Sequence, residues 1–119
     1  MTQPVTYVEL HSPDLEVSVH FFTEVFGWDP QPFASQDYLV SPAGSTHGID
    51  AGLLVARDGA PRTVSVINVV SLDETVKQVT VHGGRVVVEP FAISGVGRGC
   101  YITDPTGLLV GLHENNPEA

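Results

Sequence analysis

Tyr7 and Glu9, two residues apart near the start of the chain, are the pair whose types and spacing most readily suggest chemistry. Val5-Thr-Tyr-Val-Glu-Leu10 alternates as a strand does, with Val5, Tyr7 and Glu9 on one face and Thr6, Val8 and Leu10 on the other. A carboxylate beside a phenol in apolar surroundings has its pKa pushed up by desolvation. Such a pair could act as a base or hold a cationic or hydrogen-bonding ligand. The plainer alternative is that Glu9 pairs with a backbone N–H or an arginine. The five histidines, His11, His20, His47, His82 and His113, show neither i,i+4 nor H-x-H spacing. His20 and His82 fall on helices and read as solvent-facing or helix-terminal; His11 and His113 end strands and read as satisfied surface imidazoles. Cys100 has only Arg98 as a close basic neighbour, so it reads as an inert buried thiol.

Composition bounds the rest. A chain of 119 residues, 42% hydrophobic and 16% charged, is one globular domain with a real core. No apolar run approaches the ~18 residues that span a membrane, and Met1-Thr-Gln-Pro-Val lacks signal-peptide character. One cysteine permits no internal disulfide, so a cytoplasmic location is expected. The net charge of −9 argues against nucleic acid, whose phosphates need clustered Lys and Arg.

The elements that must position these residues follow in order. Ser12-Pro13-Asp14 starts a helix, with Ser12 or Asp14 as its cap. Leu15, Val19, Phe22 and Phe26 form its apolar stripe, and Gly27 sits just past its end. Trp28 to Gln36 is Pro-rich, a loop or an edge strand; Tyr38 to Val40 is a short strand, Ala43 to Thr46 a turn, and Ile49 to Ala56 a strand. Arg57-Asp-Gly-Ala-Pro-Arg62 has linker composition. Thr63 to Val70 is β-branched and reads as a strand, and Ser71-Leu-Asp-Glu74 is a capping box. The helix carrying Val76 and Val79 stops at Gly83-Gly84. Arg85 to Glu89 is a strand and Phe91 to Gly99 a Gly-containing loop or strand. Cys100–Thr103 and Leu108–His113 form a hairpin around Asp104-Pro-Thr-Gly107.

The two halves repeat. A shift of 57 places Leu10 on Ile67, Leu15 on Leu72, Val19 on Val76 and Phe22 on Val79. Ala51-Gly52-Leu53 matches Val110-Gly111-Leu112 at a slightly different shift. Each half reads β-α-β-β-β.

Val8-Glu9-Leu10, Asp14-Leu15 and Phe21-Phe22-Thr-Glu-Val-Phe-Gly-Trp28 resemble the first module of the vicinal oxygen chelate superfamily. Val79 to Gly84, Val86-Val-Val, Gly95-Val-Gly97 and Thr103-Asp-Pro-Thr-Gly107 resemble the second. This superfamily includes glyoxalase I, extradiol dioxygenases and bleomycin- and fosfomycin-resistance proteins. The resemblance implies an α+β fold of two βαβββ modules, about residues 5–56 and 63–114 joined by a linker at 57–62. Their sheets would curl around a cavity, usually completed in a homodimer.

It also implies where metal ligands would stand: Tyr7 and Gly52 in the first module, Val64 and Gly111 in the second. Val and Gly offer no donor and Tyr is a poor ligand at neutral pH, so neither a metal nor another cofactor is expected. In this register Tyr7 points inward with Glu9, and His47 and Asp50 border the cavity; Asn68 and Tyr101 are weaker candidates of the same kind. The leading expectation is a metal-free protein that binds or sequesters an unidentified small molecule. The alternatives are an enzyme, lyase-like or dioxygenase-like, using a non-standard metal site or Glu9/Tyr7 acid–base chemistry, and a dimeric interaction module without ligand.

Overall fold

The computed structural model describes residues 2–44 and 46–116. Ser45, within the expected Ala43–Thr46 turn, lies outside the described residues. The chain divides into two compact units, one running from Tyr7 to Val64, the other from Ser65 onward together with the residues up to Thr6. Each half has the element order βαβββ, so the protein is α+β. The first strand and the helix of each half recur at one offset: β1 and α1 begin 57 residues before β5 and α2.

In the first unit the elements are β1 (Val5–Ser12), α1 (Leu15–Phe26), β2 (Gln31–Phe33), β3 (Ser35–Ser41) and β4 (Asp50–Val55). Their strands lie in the order β2-β3-β4-β1. β1 runs parallel to β4 with Glu9 opposite Gly52, and β3 runs antiparallel to β4 with Val40 opposite Gly52. Asp14, rather than Ser12, caps α1: its carboxylate accepts from the Val17 N–H at 3.3 Å. Ser12 Oγ instead accepts from the Asp14 N–H and pairs with Ser18 Oγ at 2.6 Å. Gly27 ends the helix in the left-handed region, φ 71°, its N–H directed at the Phe22 and Thr23 carbonyls. Helix α1 packs across β4, where Ala51 and Leu53 are buried.

Phe26 departs from the expected buried stripe. Leu15, Val19 and Phe22 are half-buried, but Phe26 is 59% exposed. It is the last helical residue, and its ring stacks on Phe22, 5.8 Å between centroids, instead of entering a core.

The second unit carries β5 (Arg62–Asn68), α2 (Leu72–Val81), β6 (Arg85–Ile93), β7 (Gly97–Thr103) and β8 (Leu109–Asn115). Its strand order, β5-β8-β7-β6, repeats that of the first unit, and β5 runs parallel to β8 with Val66 opposite Gly111. Ser71 caps α2 by accepting from the Glu74 N–H at 3.3 Å. The Glu74 carboxylate does not complete the capping box: it lies 3.4 Å from Lys77 Nζ. Val69, Leu72, Cys100, Ile102 and Leu112 form the core, joined by Ile67, Val76, Val79, Val86 and Val110. Each large aliphatic side chain buried there contributes roughly 1.5–3 kcal/mol. In the β7–β8 hairpin the Asp104 carboxylate accepts from the Thr106 and Leu108 N–H groups at 2.8 and 2.9 Å. Among the described residues no helix is long and apolar enough to cross a membrane.

Candidate functional site

Strand alternation sends Val8 and Leu10 to one face of β1 and Tyr7, Glu9 and His11 to the other. On that second face, within the first unit, the structure assembles four polar side chains. Tyr38, from β3, places its hydroxyl 2.9 Å from that of Tyr7 and donates to Glu9 Oε2 at 2.7 Å. His11 Nε2 lies 3.0 Å from Glu9 Oε1. Glu9 and His11 are 7% and 8% exposed, so the carboxylate and imidazole meet away from bulk water.

The chain of contacts has a direction. An ionised carboxylate only accepts, so His11 Nε2 carries a hydrogen and Tyr38 spends its single O–H on Glu9. Tyr38 oxygen can then only accept from Tyr7. The order is Tyr7 to Tyr38 to Glu9, and the Tyr7 oxygen is left with acceptor capacity. Burial pushes the Tyr7 phenol up to about 12; the charges of Glu9 and Asp50 add to this, and the hydrogen bond with Tyr38 opposes it. Burial and the Glu9 charge raise Tyr38 further. Both phenols therefore stay protonated at neutral pH.

Gly52 makes this arrangement possible. A Cβ there would stand 2.5 Å from Tyr7 Oη and 2.6 Å from Tyr38 Oη, so the two hydroxyls occupy the space a side chain at position 52 would need. The equivalent position in the second unit, Gly111, faces Val66 Cγ2 and the Tyr101 ring, at 3.1 and 3.6 Å from such a Cβ. The residues at the positions implied for metal ligands are thus two glycines, a valine and a phenol already engaged by Tyr38. Glu9 and His11 are committed to each other. Among the described residues no group of three or more His, Cys, Asp or Glu side chains is placed to hold a metal ion. This donor set does not fit a divalent ion bound by His and carboxylates.

The other sequence candidates fall in different places. Asp50 is the strand partner of Tyr7, but it is exposed and accepts from the Ala43 N–H at 2.8 Å. His47 is exposed in the segment between β3 and β4. Asn68 and Tyr101 belong to the second unit, where Tyr101 stands opposite Gly111 and stacks with Phe91. Cys100 is buried in the α2 core, and burial with the Glu89 charge pushes its thiol up to about 11.

Sequence reasoning missed Tyr38, His11 and His113. His11 was legible, since it lies two residues beyond Glu9 on the same strand face; its reading as a surface imidazole is overturned by its burial. Nothing local marks Tyr38, which reaches Glu9 only because β3 and β4 pair antiparallel. His113 is not a satisfied surface imidazole either. It is only half-buried as a residue, but its Nε2 is enclosed and has no partner among the described residues.

Fold and site together define a class: an α+β protein of two βαβββ units, one carrying a buried tyrosine–carboxylate–imidazole chain. Residues 5–112 match the model of the Glyoxalase/Bleomycin resistance protein/Dioxygenase superfamily, and the chain belongs to that superfamily. It is 32% identical over 117 residues to CFP32 of Mycobacterium tuberculosis, a protein provisionally named a glyoxylase; the match covers 92% of this chain and 45% of that protein. It is 31% identical to the anthracycline biosynthesis protein DnrV of Streptomyces peucetius, covering 85% of this chain and 43% of that one. The chain therefore spans less than half the length of these curated relatives. The fold is similar to that of methylmalonyl-CoA epimerase from Mycobacterium tuberculosis, with a TM-score of 0.68 at 17% identity over 98% of this chain and 93% of that one. It is similar also to the Mn(II)-bound glyoxalase of Novosphingobium aromaticivorans, with a TM-score of 0.67 at 20% identity over 100% of this chain and 42% of that one.

Proposed function

We propose that this chain is a small-molecule-binding protein of the superfamily that works without a divalent metal. The observation that carries the reading is the direction of the Tyr7–Tyr38–Glu9 chain. It leaves the Tyr7 oxygen as an acceptor backed by a buried negative charge. The ligand is then one that presents an O–H, N–H or ammonium group to Tyr7. The reading includes a homodimer, in which the two-unit chain pairs with a second copy of itself. Val17, Phe21 and Val25, an i,i+4,i+8 row on α1 that is 53–63% exposed, gives such a dimer apolar surface to bury.

Native mass spectrometry of the protein purified without chelator tests the binding reading. A small-molecule adduct on the wild type that is lost in Glu9→Gln, with circular dichroism unchanged, is the expected result. One equivalent of a divalent metal per chain would overturn the metal-free part. An adduct retained in Glu9→Gln would remove the carboxylate from the site. Light scattering checks the dimer, expected at twice 12.7 kDa.

A second reading rests on the continuity of the same chain, with contacts of 2.9, 2.7 and 3.0 Å from Tyr7 to His11. A proton taken from a ligand at Tyr7 Oη can be passed on by Tyr7 to Tyr38 and by Tyr38 to Glu9. The net effect makes Glu9 a base acting through two phenols. Solvent-deuterium exchange into a bound ligand, abolished by Tyr38→Phe, separates this enzyme reading from simple binding.

A further inference from the structure

The second unit holds a recess of about 370 Å³ between the residues that precede β1, the β5–α2 connection and the end of β8. Backbone hydrogen bonds pin its lining. The Asn68 N–H donates to the Pro4 carbonyl at 2.9 Å and the Val69 N–H to the His113 carbonyl at 2.8 Å. Pro4, Val69 and Val70 give the recess apolar walls, and Val70 is 83% exposed, an aliphatic side chain with little of its own fold to cover it. Among the described residues, none of the side chains lining the recess carries a charge.

Two carboxamides at this recess present the same kind of group. A backbone N–H can only donate, so Gln3 turns its oxygen to Val70, Oε1 accepting from that N–H at 2.8 Å. Gln3 Nε2 keeps two hydrogens that no partner takes among the described residues. Asn68 is half-buried, and of its carboxamide only Oδ1 is sealed without a partner. The Nδ2 end stays open. Turning the amide over would seal two N–H donors in place of one oxygen, which costs more. Both side chains therefore offer hydrogens.

We propose that this recess binds a small uncharged molecule through a carbonyl oxygen, as in a ketone, an ester or an N-substituted amide on a short aliphatic body. The oxygen accepts from Gln3 Nε2, with Asn68 Nδ2 as the second donor, and its two lone pairs match two donors. The aliphatic part lies against Pro4, Val69 and Val70, where it covers apolar surface. An anion would find no Lys or Arg in the lining and would meet the field of a chain whose net charge is −9. A ligand offering only N–H groups would set donor against donor. The volume is at the low end for ligand sites and fits a small molecule rather than a cofactor. The recess shares no residue with the Tyr7–Glu9 chain and stands independently of the function proposed above.

The probes are three six-membered rings: 1-methyl-2-piperidone, which has a carbonyl and no N–H, cyclohexanecarboxylate and cyclohexylammonium. Each is titrated into the full ¹³C,¹⁵N-labelled chain and followed by NMR through the side-chain NH₂ signals of Gln3 and Asn68. The expected result is saturable shifts of both signals with the piperidone at about millimolar affinity, and affinity for the two ions weaker by about tenfold or more. Gln3→Glu keeps the acceptor for the Val70 N–H but removes the donors, and it weakens piperidone binding by about tenfold. No shift at Gln3 and Asn68, equal affinity for either ion, or undiminished binding in Gln3→Glu overturns the proposal. The comparison of the three probes on the wild type decides the matter even if the variant does not fold.

Discussion

Gly52→Ala is the sharpest perturbation of the tyrosine–carboxylate chain, because it adds one methyl group where two hydroxyls already meet. The new Cβ would lie 2.5 Å from Tyr7 Oη, 2.6 Å from Tyr38 Oη and 3.0 Å from Tyr38 Cζ. Both rings must swing away, which stretches the contact between the phenols and the bond to Glu9. Overpacking a filled site costs about 1–3 kcal/mol, and each weakened hydrogen bond adds about 1 kcal/mol. The expected destabilisation is therefore about 3–5 kcal/mol, read from urea denaturation at constant m-value. The hydroxyls are the cause, and a double-mutant cycle isolates them. In a Tyr7→Phe/Tyr38→Phe background the same Gly52→Ala change no longer meets the two hydroxyls, its two nearest neighbours. Its cost should fall by at least about 1 kcal/mol, a coupling well outside the error of additive sites. Additivity within about 0.5 kcal/mol would refute the claim that the two phenols fill the space beside position 52.

Tyr7 should also make the protein sensitive to alkali. Its ordinary pKa of 10 rises to about 12 in the fold, so between these values the unfolded chain releases a proton that the folded chain keeps. Stability then falls as pH rises through that window, and Tyr7→Phe flattens the fall; denaturation midpoints measured across it would show an unchanged slope if the phenol were not buried. Gly27→Ala should destabilise the fold by about 1 kcal/mol, because φ 71° is strained for any residue with a Cβ. A midpoint unaffected by Gly27→Ala would mean that α1 can end in another conformation.

The sequence by itself determined the repeat. Asp14 and Ser71 cap helices 57 residues apart because both supply a side-chain acceptor at a helix start. The Asp104-Pro-Thr-Gly107 turn closes because Asp104 accepts two backbone hydrogens while Gly107, at φ 94°, tolerates the left-handed backbone. These are local preferences, set by neighbours along the chain. Alternation on β1 likewise placed Tyr7 and Glu9 on one face without reference to any other element. Asp14 rather than Ser12 as the cap was left open by local chemistry, and the contact between Ser12 and Ser18 resolves it.

Only the tertiary structure decided what Tyr7 and Glu9 meet. Tyr38 reaches them from 29 and 31 residues away, and the space for its hydroxyl exists because the parallel register of β1 and β4 brings Gly52 opposite Glu9. The same holds for Asn68 and His113, 45 residues apart in sequence and side by side through the pairing of β5 with β8. Strand pairing between distant segments is a property of the whole sheet, set by the burial of Leu53, Leu72 and their neighbours. No local pattern around Tyr38 or His113 carries that information.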